Sequence, residues 1–313
     1  LRDIERAVRR AGAEDADQRP KVFRAIGQTV RKTKPERPQL QQFFEHQYEQ
    51  ILLHDPGTRL GDDPEDLHDL RVAVRRLRAI LKVAAPPLDA EWAESLRSEL
   101  DWLGDALGPV RDLDVMLDHL REQQSRLSDD DAAAFEPVLV QLEKERAQSR
   151  RSLLNAMRTA RYTRLLDRLE DAARRPRTRS ARPRAEKIAA GQFGKLRKAV
   201  RALGSDPGDQ ALHRVRIRGK RARYAAELAQ PAAGKDAAKF IAAAKTFQDV
   251  TGTHQDAVVT GQRLRALAAR SEPAGAFVAG RIAEVEELLK DEAREAFDAA
   301  WQKLERNGKR AWT

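Results

Sequence analysis

The chain of 313 residues contains no cysteine. That excludes a disulfide scaffold, a thiolate zinc site, an iron–sulfur cluster and a thiol nucleophile, and it fits a cytoplasmic compartment. Aromatic residues make up 5% of the chain, few for the core of a β-sandwich. No apolar run approaches the ~20 residues that a helix needs to span a bilayer, so no membrane partner is expected. The N-terminus begins at Leu1 with charged residues and lacks the apolar segment of a signal peptide. Without an initiating Met, the chain is expected to be a fragment of a longer polypeptide. Segments alternating Val, Ile, Thr and Tyr with polar residues are also missing, which argues against strands.

Charge is abundant instead. The chain has 59 Lys+Arg against 49 Asp+Glu, a net charge of +10. Residues 146–224 hold 24 basic and 6 acidic residues, whereas residues 1–66 hold 12 and 13. One quarter of the chain thus carries the excess. Such clustering attracts a polyanion, whether nucleic acid, an acidic membrane or a phosphate polymer. A solvated basic face without a partner is the plainer alternative.

Between prolines that act as punctuation lie runs rich in Ala, Leu, Arg and Glu, all good helix formers. The pattern predicts helices at 2–12, 39–54, 64–84, 90–106, 110–126, 131–159, 162–174, 184–203, 208–229, 236–250, 255–270 and 274–306. Residues 13–37 read as a polar linker and 175–183 as a very basic one. The second linker divides the main body into two sets of helices of similar length, which prompts a search for a repeat.

A repeat is present. The first copy runs Leu67-His68-Asp69-Leu70-Arg71-Val72-Ala73-Val74-Arg75-Arg76-Leu77-Arg78, the second Leu212-His213-Arg214-Val215-Arg216-Ile217-Arg218-Gly219-Lys220-Arg221-Ala222-Arg223. The two histidines lie 145 positions apart, and both copies place basic residues 3, 7, 8 and 10 positions after the histidine. At about 100° per residue, His68, Arg71, Arg75, Arg78 and Lys82 share an arc of about 80°. Leu67, Leu70, Val74, Leu77 and Leu81 occupy the neighbouring arc, while Asp69 and Arg76 fall on a third face as an ordinary surface pair. His213, Arg216, Lys220 and Arg223 repeat the arc, with Glu227 in place of Lys82. A stripe of one sign beside a core edge repels itself. Its presence twice points to an anionic ligand that neutralises it; pairing with carboxylates of other helices, Asp112 and Asp256 among them, is the alternative.

A second element follows each stripe: Leu107-Gly108-Pro109-Val110-Arg111-Asp112 in the first copy, Thr251-Gly252-Thr253-His254-Gln255-Asp256 in the second. The spacing from histidine to aspartate is 44 and 43 residues. Each Gly is expected to close one helix and each Asp to begin the next, as a cap or salt-bridge partner. Arg111, His254 and Lys245 are further candidates for reaching the ligand.

On these residues the chain resembles the CHAD family, the conserved histidine α-helical domain, over residues 38–313. The paired His-x-x-Arg-x-x-x-[Arg/Lys]-x-x-Arg stripes, the run from Leu107 to Asp114 and Phe247-Gln248-Asp249 carry the resemblance, in matching order and spacing. Thr251 stands where Leu is usual, and Glu227 departs from the second stripe. The resemblance implies an all-α fold of two four-helix-bundle repeats, about 38–174 and 184–313, related by pseudo-two-fold symmetry around a basic central channel. It also implies binding of inorganic polyphosphate by His68, Arg71, Arg75, Arg78, Lys82, His213, Arg216, Lys220 and Arg223, and with it a place at polyphosphate granules. Residues 1–27 resemble the tail of a CYTH domain, a module that commonly precedes CHAD domains. The segment 1–37 would then be its remnant and linker.

Catalysis finds little support. There is no Walker A motif, and no Ser–His–acid constellation is suggested by motif. Phosphoryl transfer needs acids that hold Mg²⁺, but the stripe is basic. No metal site and no cofactor are expected; His46 and His54 read as surface or core histidines. Nucleic-acid binding is the competing function, favoured by the arginines around 174–184, including Arg177, Arg179, Arg182 and Arg184, and opposed by the scarcity of stacking aromatics. A third reading makes the chain the substrate-holding module of a triphosphatase.

Overall fold

The computed structural model describes residues 39–83, 88–179 and 184–313. Eight helices run through them: α1 (Gln39–Leu60), α2 (Pro64–Val83), α3 (Ala90–Gln124), α4 (Asp129–Met157), α5 (Ala160–Arg174), α6 (Ala185–Arg201), α7 (Asp209–Ala268) and α8 (Pro273–Trp312). The fold is all-α, as expected. Among the described residues one isolated bridge, Leu88 to Thr178, is the only extended pairing. It is flanked by a bond from the Asp89 amide to the Arg177 carbonyl at 3.0 Å, which ties the start of the basic linker to the α2–α3 connection. The expected helix at 2–12, the linker at 13–37 and the CYTH-like stretch lie outside the described residues, as do residues 180–183.

Side-chain caps set three of the eight helix starts. Asp89, Ser128 and Thr159 each accept from a backbone amide three residues ahead, at the starts of α3, α4 and α5. Burial holds the helices together: α2 buries Leu67, Leu70, Ala73, Val74, Leu77, Ile80 and Leu81 at helical spacing.

Two expected breaks are absent. α3 runs unbroken through Gly108 and Pro109, and α7 through residues 251–254. Pro109 is exposed, so the carbonyl left without an amide partner one turn earlier faces water. On either side, Leu107 and Val110 are buried. In α7 the Thr251 hydroxyl donates to the Phe247 carbonyl at 2.8 Å, and Phe247, Thr251 and Ala257 are buried along the helix. Packing on both flanks outweighs local punctuation. Asp112 and Asp256 are therefore mid-helix residues, not caps.

α7 does break once, at Gly234 (φ 61°), between the helices expected at 208–229 and 236–250. A residue without a Cβ tolerates that conformation. The two arms of α7 pack on each other, for a Cβ built on Gly219 would lie 3.3 Å from the Phe247 ring. Helix starts recur along the chain. Gln39, Pro64, Ala90 and Asp129 are followed by Ala185, Asp209, Lys235 (the residue after the Gly234 break) and Pro273, at separations of 146, 145, 145 and 144.

The apolar core does not divide at the basic linker. One cluster joins α1, α2, α5 and the first half of α3 to Tyr224, Ala225, Leu228 and Ala229 of α7. A second joins Met116, Leu117 and Leu120 of α3 and Phe135 and Leu142 of α4 to Leu264 of α7 and Ile282 of α8. A third surrounds Phe193, Phe240, Phe247 and Leu304 in α6, α7 and α8.

Candidate functional site

The stripe of α2 sits beside its core row. Leu70, Val74 and Leu77 are buried, whereas His68, Arg71, Arg75 and Arg78 are half-buried and Lys82 is exposed. The first arm of α7 repeats this. Val215, Gly219 and Ala222 are buried, with His213, Arg216, Lys220 and Arg223 half-buried next to them.

α2 packs against α7, and the two stripes come within electrostatic reach of each other. The charges of Arg75 and Arg71 act on both Arg216 and Lys220. Burial, reinforced by Arg216 and Arg75, pulls Lys220 down from 10.5 to about 7. Arg216 is likewise held below the ordinary arginine range, chiefly by burial. The buried Nε atoms of Arg75, Arg216 and Arg223 have no hydrogen-bond partner among the described residues.

Two acids face this cluster. Arg71 bonds Asp112 at 2.9 Å, and Arg216 lies 3.9 Å from Asp256. Each guanidinium passes over a glycine: the Nη2 of Arg71 and of Arg216 lies 3.9 Å from the Cβ position of Gly108 and Gly252 respectively. The Asp256 side chain is 64% exposed, yet burial pushes its carboxyl above the usual range.

The histidines are held from α3 in the first copy and from the second arm of α7 in the second. Arg111 Nε donates to His68 Nδ1 at 3.1 Å. In the neutral ring this leaves the proton on Nε2, free to donate outward. Burial and the Arg111 charge keep His68 below the ordinary histidine range. His213 Nδ1 bonds Gln255 Oε1 at 2.5 Å. With an oxygen as acceptor, Nδ1 carries the proton, and Nε2 becomes a donor only when the ring is protonated.

The first stripe ends on a network. Arg78 bonds Asp101 at 2.5 Å across Gly104, where a side chain would collide with the Arg78 guanidinium. The charge of Arg221 is the main influence that lowers Lys82. At the end of the second stripe Arg223 lies 3.5 Å from Glu227, and Arg76 reaches the same acid at 3.7 Å.

Several sequence expectations change here. Arg76 is half-buried between α2 and α7, not a surface partner of Asp69, which instead lies 3.6 Å from His54. His254 does not join the stripe. It is 4% exposed and lies 3.2 Å from Asp209 at the start of α7. Helix geometry turns this position toward the core, and Gln255 occupies the place of Arg111 instead. Spacing could have shown it: Gly108 to Gly252 and Asp112 to Asp256 are both 144 residues, as are Arg111 to Gln255. Lys245 is exposed, two turns before Gly252 on the same face of α7. The remaining histidines are structural or peripheral: His46 is exposed, His54 bonds Asp66 at 2.8 Å, and His119 bonds the buried Glu286 at 2.6 Å. Asp112 and Asp256 do act as salt-bridge partners. Among the described residues no three of His, Asp and Glu gather as metal ligands, and no helix is long and apolar enough to cross a membrane.

Comparison with known proteins gives the family and the fold. Residues 42–265 match the family described as CHAD domain. Uncharacterized proteins from two strains of Mycobacterium tuberculosis are each 31% identical over 319 aligned positions, covering 96% of this chain and 61% of the relative. The chain thus spans about three fifths of the length of these curated relatives. Among solved structures, PptA from Streptomyces chartreusis is similar in fold (TM-score 0.69, 24% identity, covering 84% of this chain and 98% of that one). So is the CHAD domain from the plant Ricinus communis (TM-score 0.63, 26% identity, covering 85% and 90%).

Proposed function

This chain belongs to the CHAD-domain family, and from that membership we propose that it binds inorganic polyphosphate, without cutting it, along the cationic cluster between α2 and the first arm of α7. The observation that carries the reading is the meeting of Arg71, Arg75, Arg216 and Lys220 where α2 packs on α7. Four cations faced by only two acids, Asp112 and Asp256, still repel one another, and a bound anion would relieve that repulsion.

The chemistry suits a flexible chain of phosphates. Arginine forks take phosphate oxygens two at a time, and Lys220 adds a point charge. The Nε atoms of Arg75 and Arg216, which have no hydrogen-bond partner among the described residues, are donors that phosphate oxygens would satisfy. His68 offers Nε2–H at the start of the first stripe, with Arg111 behind it. Arg78, and in the second copy His213 and Arg223, extend the same stripes.

Nucleic acid fits less well. Single strands are held by stacking on aromatic side chains. Here Trp92 packs on Phe44, Trp301 on Phe247, Trp312 on Phe240, and Trp102 lies under Arg161. For catalysis, acids would have to hold Mg²⁺ at the phosphates, and Asp112 and Asp256 face Arg71 and Arg216 instead.

Calorimetric titration with long-chain polyphosphate, duplex DNA and single-stranded RNA at physiological salt tests the proposal. Binding confined to polyphosphate, with no phosphate released, is the expected result. Equal binding to all three would reduce the cluster to a generic basic surface, and phosphate release would make the chain an enzyme.

A further inference from the structure

The two stripes are not electrostatic copies of each other where they end. A separation of 145 residues relates Arg71 to Arg216, Arg75 to Lys220 and Arg78 to Arg223. The same separation relates Arg76 to Arg221 and Lys82 to Glu227. Where α2 meets α7, Arg76 stands 3.7 Å from Glu227, which is also 3.5 Å from Arg223. The equivalent meeting on the other side brings Arg221 to Lys82, and there both partners are cations.

Among the described residues no carboxylate forms an ion pair with either cation of that second meeting. Asp101 and Glu94, the acids whose charges reach Lys82, are already engaged. Asp101 bonds Arg78 and Arg97, each at 2.5 Å, and Glu94 bonds Arg97. Arg218 stands one turn before Arg221 on α7 and its charge acts on Arg221; its counterpart in the first copy is Ala73. Among the described residues none of Lys82, Arg218 and Arg221 has an ion-pair partner. Lys82 is exposed, and the two arginines are half-buried with their heads still reached by solvent. The Arg221 charge and then burial lower Lys82, while burial and then the Arg218 charge lower Arg221. On the opposite side Glu227 offsets part of the charge of Arg76 and Arg223.

We propose that Lys82, Arg218 and Arg221 form a second anion subsite, which takes further phosphates of a polyphosphate chain that leaves the central cluster past Lys82 rather than past Glu227. This rests on the polyphosphate reading of the cluster and gives the bound chain an exit side. A short chain fills the Arg71, Arg75, Arg216 and Lys220 cluster alone, whereas a long one reaches both places.

The double variant Lys82→Gln with Arg221→Gln, checked for intact helical structure, separates the two. Its affinity for long-chain polyphosphate is expected to fall about tenfold, the loss of two or three exposed charge contacts. Its affinity for tripolyphosphate is expected to stay within about twofold, and the log–log salt slope with the long chain to become shallower by about one to two. Lys82→Gln alone, at an exposed position, supplies the same comparison without disturbing the half-buried arginines, with a loss of about threefold. Unchanged long-chain affinity, or equal loss for both ligands, would overturn the subsite while leaving the central cluster standing. Failure of the unaltered protein to bind either ligand would overturn the polyphosphate reading itself.

Discussion

Arg216 stands 3.9 Å from Asp256, one ångström farther than its counterpart Arg71 stands from Asp112. The two arginines occupy equivalent turns and pass equivalent glycines, yet only Arg71 is within hydrogen-bond reach of its acid. The second copy therefore holds its arginine more loosely, while burial pushes the Asp256 carboxyl up.

Those acids compete with any anionic ligand for the same guanidinium groups. Asp112→Asn and Asp256→Asn are expected to tighten polyphosphate binding by about threefold each, since both side chains are mostly exposed and their pairs are weak. Asp112→Asn removes the shorter pair and should have the larger effect. Titration calorimetry of the two single variants checks this; weaker binding in either would mean that the carboxylate positions the arginine instead of occupying it.

Lys220 makes binding depend on pH. Its value of about 7 in the free protein means that at about pH 8.5 the amine is mostly neutral. A polyanion favours the charged form and raises that value, so binding at this pH takes up a proton, approaching about one per site. Affinity accordingly falls as pH rises above 7. Calorimetry in buffers of different ionisation enthalpy measures the uptake. Lys220→Met is expected to remove it near pH 8.5, while uptake by His68, held below the ordinary histidine range, persists at lower pH. Undiminished uptake at high pH in that variant would assign the proton to another group.

The two halves solve one packing problem in opposite ways. Where α7 sets Gly219 against Phe247, the equivalent positions of the first half hold Val74 and Leu103, both buried. Gly219→Val alone puts a side chain where the ring already lies and is expected to cost about 1–3 kcal/mol. Combining it with Phe247→Leu installs the first half's pair and should recover most of that loss, a coupling of about 1 kcal/mol or more. Chemical denaturation of the two single variants and the double checks it; additive losses would show that the positions do not correspond.

The sequence announced the stripes because a single-sign row at helical spacing is a local pattern, repeated at a fixed distance. It announced helices for the same reason. Gly108-Pro109 and residues 251–254 misled because local punctuation says nothing of Leu107, Val110 and Phe247 buried on either flank. What each arginine meets was also illegible. Glu227 reaches Arg76 from 151 positions away, and only the packing of α2 on α7 brings them together. His254 drew attention by residue type, although constant spacing pointed one residue further, to Gln255.

The second apolar cluster, in which Met116, Leu117 and Leu120 of α3 meet Leu264 of α7 and Ile282 of α8, makes the two halves inseparable in a practical sense. A polypeptide ending at Arg174 would leave one side of that cluster wet, and a polypeptide starting at Arg184 the other. Co-expressed as two pieces, they would be drawn together by the burial that each lacks. A backbone scission in the basic linker would thus sever a covalent tether without dispersing what it joined.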